Sequence, residues 1–282
     1  MTPSRLNLYA LPRTECRNLG SRGDLKNHAA DGKLACTHSR ESDSDKDRSA
    51  FALGQRAFAE ATIPVVDKLE AFARFAPKRS VARFLMRAEI FKQHVLHSNG
   101  AIVECGVFNG AGLFSWAQLS NIYEPSNHTR RIIGFDTFEG FPNVDARDNA
   151  GDIEWKQGDL HGSSVEQLQI SIDKFNSERH LSHINNMMLV KGDFMKTAED
   201  FLAKNTHMLI SLLYLDFDLY EPTKLALELF LPRMPKGAVI AFDELNCESF
   251  PGETLAFLES IDIRTAELKR SPIDPWISYL VL

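Results

Sequence analysis

The chain has 282 residues, of which 44% are hydrophobic and 25% charged, the composition of an ordinary globular protein with one large domain or two small ones. Its formal net charge of −6 argues against a nucleic-acid partner, which basic residues would have to hold. No apolar run reaches the roughly 18 residues of a membrane span, and the N-terminus lacks a signal peptide's apolar core. We therefore expect a cytoplasmic protein with no membrane partner.

The N-terminal third divides into two predicted regions. Residues 1–48 are polar and show neither a helical nor a strand period, which predicts a flexible leader that packs against a neighbouring subunit or has no role. Apolar residues then recur at helical spacing over 49–98, with an interruption at Pro77. This pattern predicts a helical extension that supplies core or a lid, and we expect a homo-oligomer. The four cysteines form no C-x-x-C pair and are interpreted as reduced thiols.

From residue 99 onward, strand-like apolar runs alternate with helical stretches. Strands are predicted over 101–105, 131–135, 187–191, 209–215 and 238–242, and helices over 113–123, 165–179, 196–204, 223–231 and 253–260. Such repeated units predict an α/β fold with a mostly parallel sheet covered on both faces. The terminal segments 264–268 and 276–281 predict an antiparallel hairpin at its edge.

A glycine-rich turn follows the first predicted strand, with glycines at positions 106, 110 and 112. Glycines here let the backbone approach a ligand, and the next helix presents free N–H groups. The spacing G-x-x-x-G-x-G differs from the dinucleotide fingerprint G-x-G-x-x-G. Glu104, two residues before Gly106, suits a ligand that carries a sulfonium or an ammonium group. A tight turn without a ligand is the alternative.

Acids also follow the second and third predicted strands. Asp136 stands where an acid commonly binds a ribose diol, and its distance from Gly112 is close to the roughly 20 residues expected of such a unit. Asp193 is placed either to accept a hydrogen bond from an adenine amino group or to cap a helix.

The fourth and fifth predicted strands each end in two acids, Asp216 with Asp218 and Asp243 with Glu244. Neighbouring parallel strands end at the same edge of a sheet, so up to four carboxylates converge and repel one another. A hard divalent cation such as Mg²⁺ prefers oxygen ligands and relieves that repulsion. The alternative is a set of helix caps and solvated loop acids.

Five segments together resemble the macrocin O-methyltransferase family, whose members methylate deoxysugars and related groups in antibiotic biosynthesis. The segments are 106–112, D-T-F-E-G-F-P over 136–142, L-D-F-D-L-Y-E-P-T over 215–223, F-D-E over 242–244 and F-P-G-E over 250–253. The resemblance implies a Rossmann-like class I methyltransferase domain over 99–282. Its fold would be a mostly parallel seven-stranded sheet with a C-terminal antiparallel hairpin and the N-terminal helical extension.

The resemblance also implies S-adenosyl-L-methionine (SAM) as the cofactor. The expected cofactor contacts are Glu104, Gly106, Gly110, Gly112, Asp136, Thr137 and Asp193. It implies a metal held by Asp216, Asp243 and Glu244, the last replacing an aspartate of many relatives.

The expected reaction is metal-assisted transfer of the SAM methyl group to a hydroxyl of a sugar or glycoside. The metal would lower the pKa of that hydroxyl, and Asp216 or Asp218 would accept its proton. His161, in a Gly-rich insert after the second strand, is a substrate contact, an alternate base or a solvated loop histidine.

Three other functions remain open at this point. A catechol or another vicinal diol would satisfy the same metal chemistry as a sugar. A nicotinamide-dependent oxidoreductase is disfavoured by the missing fingerprint and by the acid cluster. A non-catalytic SAM-binding protein would have no need of Asp216, Asp218 and Asp243.

Overall fold

The computed structural model describes residues 45–150 and 154–282, so nearly all of the predicted leader lies outside the described residues. The helical extension consists of α1 (Asp45–Glu60), α2 (Val65–Glu70), α3 (Phe72–Phe75) and α4 (Lys78–Gln93). Helix α1 therefore begins inside the region predicted as leader. Pro64 and Pro77 directly precede α2 and α4, where proline interrupts no helical hydrogen bond. None of the described helices combines the length and apolar character needed to cross a bilayer.

In the part of the chain that the structure describes, seven strands form one sheet in the order β3-β2-β1-β4-β5-β7-β6. The strands are β1 (Ala101–Cys105), β2 (Ile132–Asp136), β3 (Met187–Lys191), β4 (Ile210–Leu215), β5 (Val239–Phe242), β6 (Lys269–Arg270) and β7 (Ser278–Val281). Strands β1 to β5 are parallel, and β7 runs antiparallel to both β5 and β6. The predicted Rossmann-like sheet with a C-terminal antiparallel pair is confirmed.

The predicted strand over 264–268 is wrong. That segment is a turn, in which Asp262 accepts hydrogen bonds from the backbone N–H groups of Arg264 and Thr265. The edge strand is the two-residue β6 instead, paired with β7 through Lys269 and Arg270. A polar side chain that bonds its own backbone competes with a sheet ladder, which explains why the strand starts later.

Helices cover both faces of the sheet, because side chains on successive strand residues point to opposite sides. One face packs against α4, α5 (Ala111–Tyr123) and α6 (Val165–Glu178), with Ile102 and Tyr214 among the buried strand residues. The other face packs against α7 (Phe194–Lys204), α8 (Tyr220–Phe230) and α9 (Pro251–Ser260), and buries Val103 and Leu213. The five parallel strands are therefore mostly apolar and are followed by polar turns at a common edge.

The segment between β2 and α6 is held against the carboxyl edge of the sheet by Asp148. This carboxylate is buried and accepts hydrogen bonds from the backbone N–H of Tyr220 at 2.6 Å and of Asp145 at 2.8 Å. Trp155 stacks on Phe250 with ring centroids 4.7 Å apart. These contacts tie the insert to the start of α8 and to the turn before α9.

Candidate active site

A cavity of about 1510 Å³ opens at the carboxyl edge of the parallel strands. Its floor is made by the turns that follow β1 to β5, and arginines of α4 lie along one wall. Single ligand sites commonly measure roughly 300–1,000 Å³, so this cavity has room for a cofactor and an acceptor together. It lies where ligands bind in open α/β sheets.

The glycine turn after β1 has the backbone shape that a close ligand approach requires. Gly106 and Gly110 have positive φ values of 92° and 81°, a region that residues with a Cβ rarely adopt. A Cβ on Gly112 would lie 2.5 Å from the Glu104 carboxylate. The turn therefore brings the first residues of α5 and an acid into one corner of the cavity.

Glu104 is a buried acid, exposed by only 1%. Its Oε2 accepts a hydrogen bond from Nε1 of Trp116 at 2.9 Å. Burial raises the pKa of Glu104 to about 8, although the nearby Arg87 opposes the shift. A cation beside this carboxyl group would stabilise its ionised form, and the ammonium group of SAM is such a cation.

Asp136 organises the glycine turn through its side chain. One carboxylate oxygen accepts from the backbone N–H groups of Val107 and Phe108, both at 2.8 Å, and the other accepts from the N–H of Phe138 at 2.6 Å. A carboxylate offers about four acceptor sites, so one is left for a ribose hydroxyl. Contact with the ribose remains a prediction.

Two other predicted cofactor residues line the same cavity and have local partners. Thr137 donates its hydroxyl to the carbonyl of Gly140 at 2.6 Å. Asp193 caps α7 by accepting from the N–H of Met195 at 3.1 Å and pairs with Lys196 at 3.0 Å. The helix-cap role of Asp193 is thus observed, and its contact with adenine remains a prediction.

Three of the four predicted acids come together beside the glycine turn. Carboxylate oxygens of Asp216, Asp218 and Glu244 lie within 4.8 Å of one another. Burial, followed by repulsion from Asp243 and Glu244, raises the pKa of Asp216 well above its usual range; burial and Glu244 do the same for Asp218. Asp218 also has a φ of 62°, a strained value for a residue other than glycine and one that occurs at functional sites.

The fourth acid, Asp243, is engaged with protein groups instead. Nη2 of Arg83 lies 2.6 Å from one of its carboxylate oxygens, and the hydroxyl of Tyr214 donates to the other. Burial raises the pKa of Asp243, but the charges of Arg83 and Arg87 outweigh it and lower the pKa below the usual value. Each oxygen of this implied metal ligand therefore already accepts from one protein group, and further acceptor sites remain.

Sequence reasoning missed the basic wall of the site. Arg79, Arg83 and Arg87 follow one another at every fourth position of α4 and line the cavity. Arg83 also pairs with Asp274 at 3.5 Å, and Arg87 donates to the Tyr214 hydroxyl at 3.2 Å. The four-residue spacing, which places three arginines on one face of an otherwise amphipathic helix, was the available signal.

His161 is exposed and does not line the cavity. The structure therefore does not bring this catalytic candidate to the acids, and a solvated loop histidine is the interpretation that fits its position.

Comparisons with known proteins agree with this geometry. The sequence profile of the family described as Macrocin-O-methyltransferase (TylF) matches residues 84–260, more than half of the chain. The chain belongs to this family. The macrocin O-methyltransferase match spans the glycine turn, the acid cluster and most of α4.

Comparison with individual proteins points the same way. The crystal structure of CalS11, a calicheamicin methyltransferase, is 32% identical and superposes with a TM-score of 0.81 over 90% of this chain and 98% of that one. An apo structure of CalS11, described as a TDP-rhamnose 3'-O-methyltransferase, has a TM-score of 0.73 at 31% identity over 85% and 95% of the chains. The protein therefore has the class I methyltransferase fold.

A curated relative from Streptomyces olivaceus is 30% identical over 146 residues, which are 51% of this chain and 52% of that protein. It is an 8-demethyl-8-(2,3-dimethoxy-alpha-L-rhamnosyl)-tetracenomycin-C 4'-O-methyltransferase. The chain thus spans about half the length of this relative.

Proposed function

We propose that this protein is a SAM-dependent O-methyltransferase that methylates a hydroxyl of a deoxysugar, with the help of a divalent cation. The observation that carries the proposal is the meeting of two features in one cavity: a glycine turn with the buried acid Glu104, and the carboxylates of Asp216, Asp218 and Glu244. Both CalS11 and the Streptomyces olivaceus relative are named for methylating a rhamnose unit, which supports a sugar over a catechol as the acceptor.

The cofactor side of the cavity fits SAM by charge and by shape. Glu104 would hold the ammonium group, because it lines the cavity and burial, which raises its pKa, disfavours its charge unless a cation lies beside it. The turn around Gly106 and Gly110 leaves space for the methionine portion, and Asp136 and Asp193 lie farther along the same edge, toward the ribose and the adenine.

The acid cluster fits a divalent cation. Its groups are carboxylate oxygens, the ligands that Mg²⁺ prefers, and Asp216 and Asp218 are held together against their mutual repulsion. Asp216 and Glu244 would hold the ion, with either Asp218 or Asp243 as a further ligand. SAM supplies an electrophilic methyl group, and the cation supplies the charge that acidifies the acceptor hydroxyl.

The protein's own groups would then position the acceptor and remove its proton. Asp216 or Asp218 would receive the proton of the attacking hydroxyl, because both carboxylates line the cavity at the cation site. Methyl transfer would neutralise the sulfonium, so much of the acceleration would come from residues that align the acceptor and exclude water. The docked insert and α4 enclose the cavity for this purpose.

Calorimetric titration of the purified protein with SAM, in the presence and absence of Mg²⁺, tests the cofactor part of the proposal. We expect micromolar or tighter binding, which is ordinary for an enzyme cofactor. Absence of binding in both conditions would remove Glu104 and Asp136 as cofactor residues and favour the nicotinamide alternative.

A further inference from the structure

We infer that Trp116 is a positioning residue for the cofactor, because its indole N–H holds the Glu104 carboxylate in place to bind the ammonium group of SAM. The inference rests on the proposed cofactor role of Glu104 and deepens it. Trp116 belongs to α5 and does not line the cavity, whereas Glu104 does. The indole would therefore act on SAM through the carboxylate.

The first observation is a hydrogen bond between two enclosed groups. Nε1 of Trp116 donates to Oε2 of Glu104 at 2.9 Å, and the two residues are exposed by 0% and 1%. An indole has a single donor and no acceptor. Because solvent does not reach either residue, this bond cannot be exchanged for one to water, and it fixes one oxygen of the carboxylate.

The second observation is the confinement of the carboxylate on its other side. A Cβ on Gly112 would lie 2.5 Å from both oxygens of Glu104, so the carboxylate lies directly against the first turn of α5. Trp116 follows Gly112 by four positions and therefore lies on the same face of the helix, one turn later. Its ring packs against Tyr214, with centroids 5.7 Å apart. The carboxylate is thus held from two sides, and acceptor sites on it remain for a ligand in the cavity.

The charge on Glu104 depends on the few groups that stabilise it. Burial raises the pKa of Glu104 to about 8, and the charge of Arg87 and the hydrogen bond from Trp116 oppose that rise. Arg87 approaches from α4 and donates to the Tyr214 hydroxyl at 3.2 Å. Hydrogen bonds to charged groups are stronger than those between neutral groups. Loss of the indole donor would therefore weaken the ionised form of Glu104, which is the form that attracts an ammonium group.

Calorimetric titration of Trp116→Phe with three ligands tests the inference. SAM and S-adenosyl-L-homocysteine both carry the amino group, whereas 5′-methylthioadenosine lacks the whole amino-acid portion. Phenylalanine keeps an aromatic ring in the core but donates no hydrogen bond. We expect the dissociation constants of the first two ligands to rise about tenfold relative to the wild type, and that of 5′-methylthioadenosine to stay within about twofold.

A second variant controls for a general loosening of the core. Phe91 is buried in the same core as Trp116 and has no polar contact with Glu104. Phe91→Leu removes packing there, and we expect it to leave all three dissociation constants unchanged. Circular dichroism verifies that both variants are folded.

A measurement on the wild type does not depend on the folding of Trp116→Phe. The chain has three tryptophans, so the ¹H–¹⁵N spectrum should contain three indole resonances, and Trp155→Phe and Trp276→Phe assign that of Trp116 by elimination. We expect this resonance to shift when SAM or S-adenosyl-L-homocysteine is added, and to shift much less with 5′-methylthioadenosine. Only the first two ligands bring a charged partner to the acceptor of the indole N–H.

The inference is overturned if Trp116→Phe binds SAM as tightly as the wild type, if the variant loses affinity equally for all three ligands, or if the Trp116 resonance responds equally to them. Absence of SAM binding to the wild type would contradict the proposed function itself, and the inference with it.

Discussion

Glu104 is a carboxyl group that burial keeps largely neutral until a cation arrives. Its pKa of about 8 in the folded protein lies above the ordinary value of 4.5. The protonated form therefore stabilises the protein without SAM; this contribution is complete below about pH 4.5 and is lost as the pH rises through about 8. SAM binding favours the ionised form and must be accompanied by release of a proton.

This linkage predicts that SAM affinity rises between pH 6 and pH 7.5, by at most about tenfold per pH unit. Calorimetry at pH 7 in buffers of different ionisation enthalpy should show about one proton released for each SAM bound. Glu104→Gln keeps an acceptor for Trp116 but removes the charge, so it should bind SAM more weakly and without proton release. An affinity that does not change with pH in the wild type would contradict the role of Glu104.

Asp216 lies on the cation side of the cavity, so its substitution should affect the divalent cation and not SAM. Asp216→Asn should abolish turnover and weaken binding of the divalent cation, while the SAM dissociation constant stays close to the wild-type value. Steady-state kinetics and SAM titration measure the two effects. Methylation by this variant at the wild-type rate would show that the metal assignment is wrong.

Some residues of the site could be predicted from the sequence, and others could not. Glu104, Asp216 and Asp243 were predicted because charged residues stand out where apolar strands end. Arg83 and Tyr214 were missed, since their partner Asp243 lies 160 and 29 residues away along the chain and no local pattern records the contact. Ion pairs between distant elements appear only when the fold brings those elements together.

Helices and strands were likewise predicted where the local sequence determines them, and features that depend on contacts between distant residues were missed. Strands β1 and β3 were predicted with their observed bounds, because each is a mostly apolar run that is followed directly by a glycine. Helix α8 begins at Tyr220, three residues before the predicted start, because Pro222 is tolerated in the first turn. The docking of the insert onto α8 through Asp148 was not predicted, since it depends on a single buried side chain.

Asp148→Ala should loosen that insert and lower the stability of the protein. The change leaves the buried N–H of Tyr220 without its acceptor, which costs about 1–3 kcal/mol. Chemical denaturation followed by fluorescence measures the loss. Glu154→Ala, which removes an exposed ion pair with Lys156 in the same insert, is the matched control and should have a much smaller effect. Equal stability of the Asp148→Ala variant and the wild type would show that the insert is held by other contacts.

At the scale of the whole molecule, the helical extension presents a large apolar surface. Exposed side chains along α1, α2 and α3 include Phe51, Leu53, Phe58, Val65, Val66, Leu69 and Phe72. Phe51 and Phe72 line the active-site cavity, and the other side chains face solvent. Exposed apolar surface of this extent often marks an association site, so we expect the subunits of the predicted homo-oligomer to meet through the extension.

Sedimentation velocity should therefore find an oligomer in the wild type and smaller species in Val66→Asp/Leu69→Asp, because a buried aspartate without a partner disfavours the interface. Ile170→Asp, at a comparably exposed site on α6, is the control and should leave the oligomer intact. A monomeric wild type would contradict association through this surface.

Cation-dependent methylation of a sugar is the central activity that we propose for the whole protein. Methyl transfer from isotope-labelled SAM to a rhamnose glycoside and to a nucleotide-linked rhamnose should be measured before and after treatment with EDTA, and again after Mg²⁺ is added. We predict labelled product with at least one of these acceptors, its loss in EDTA and its recovery with Mg²⁺. A product that forms equally well in EDTA, or no sugar methylation under any of these conditions, would contradict the account.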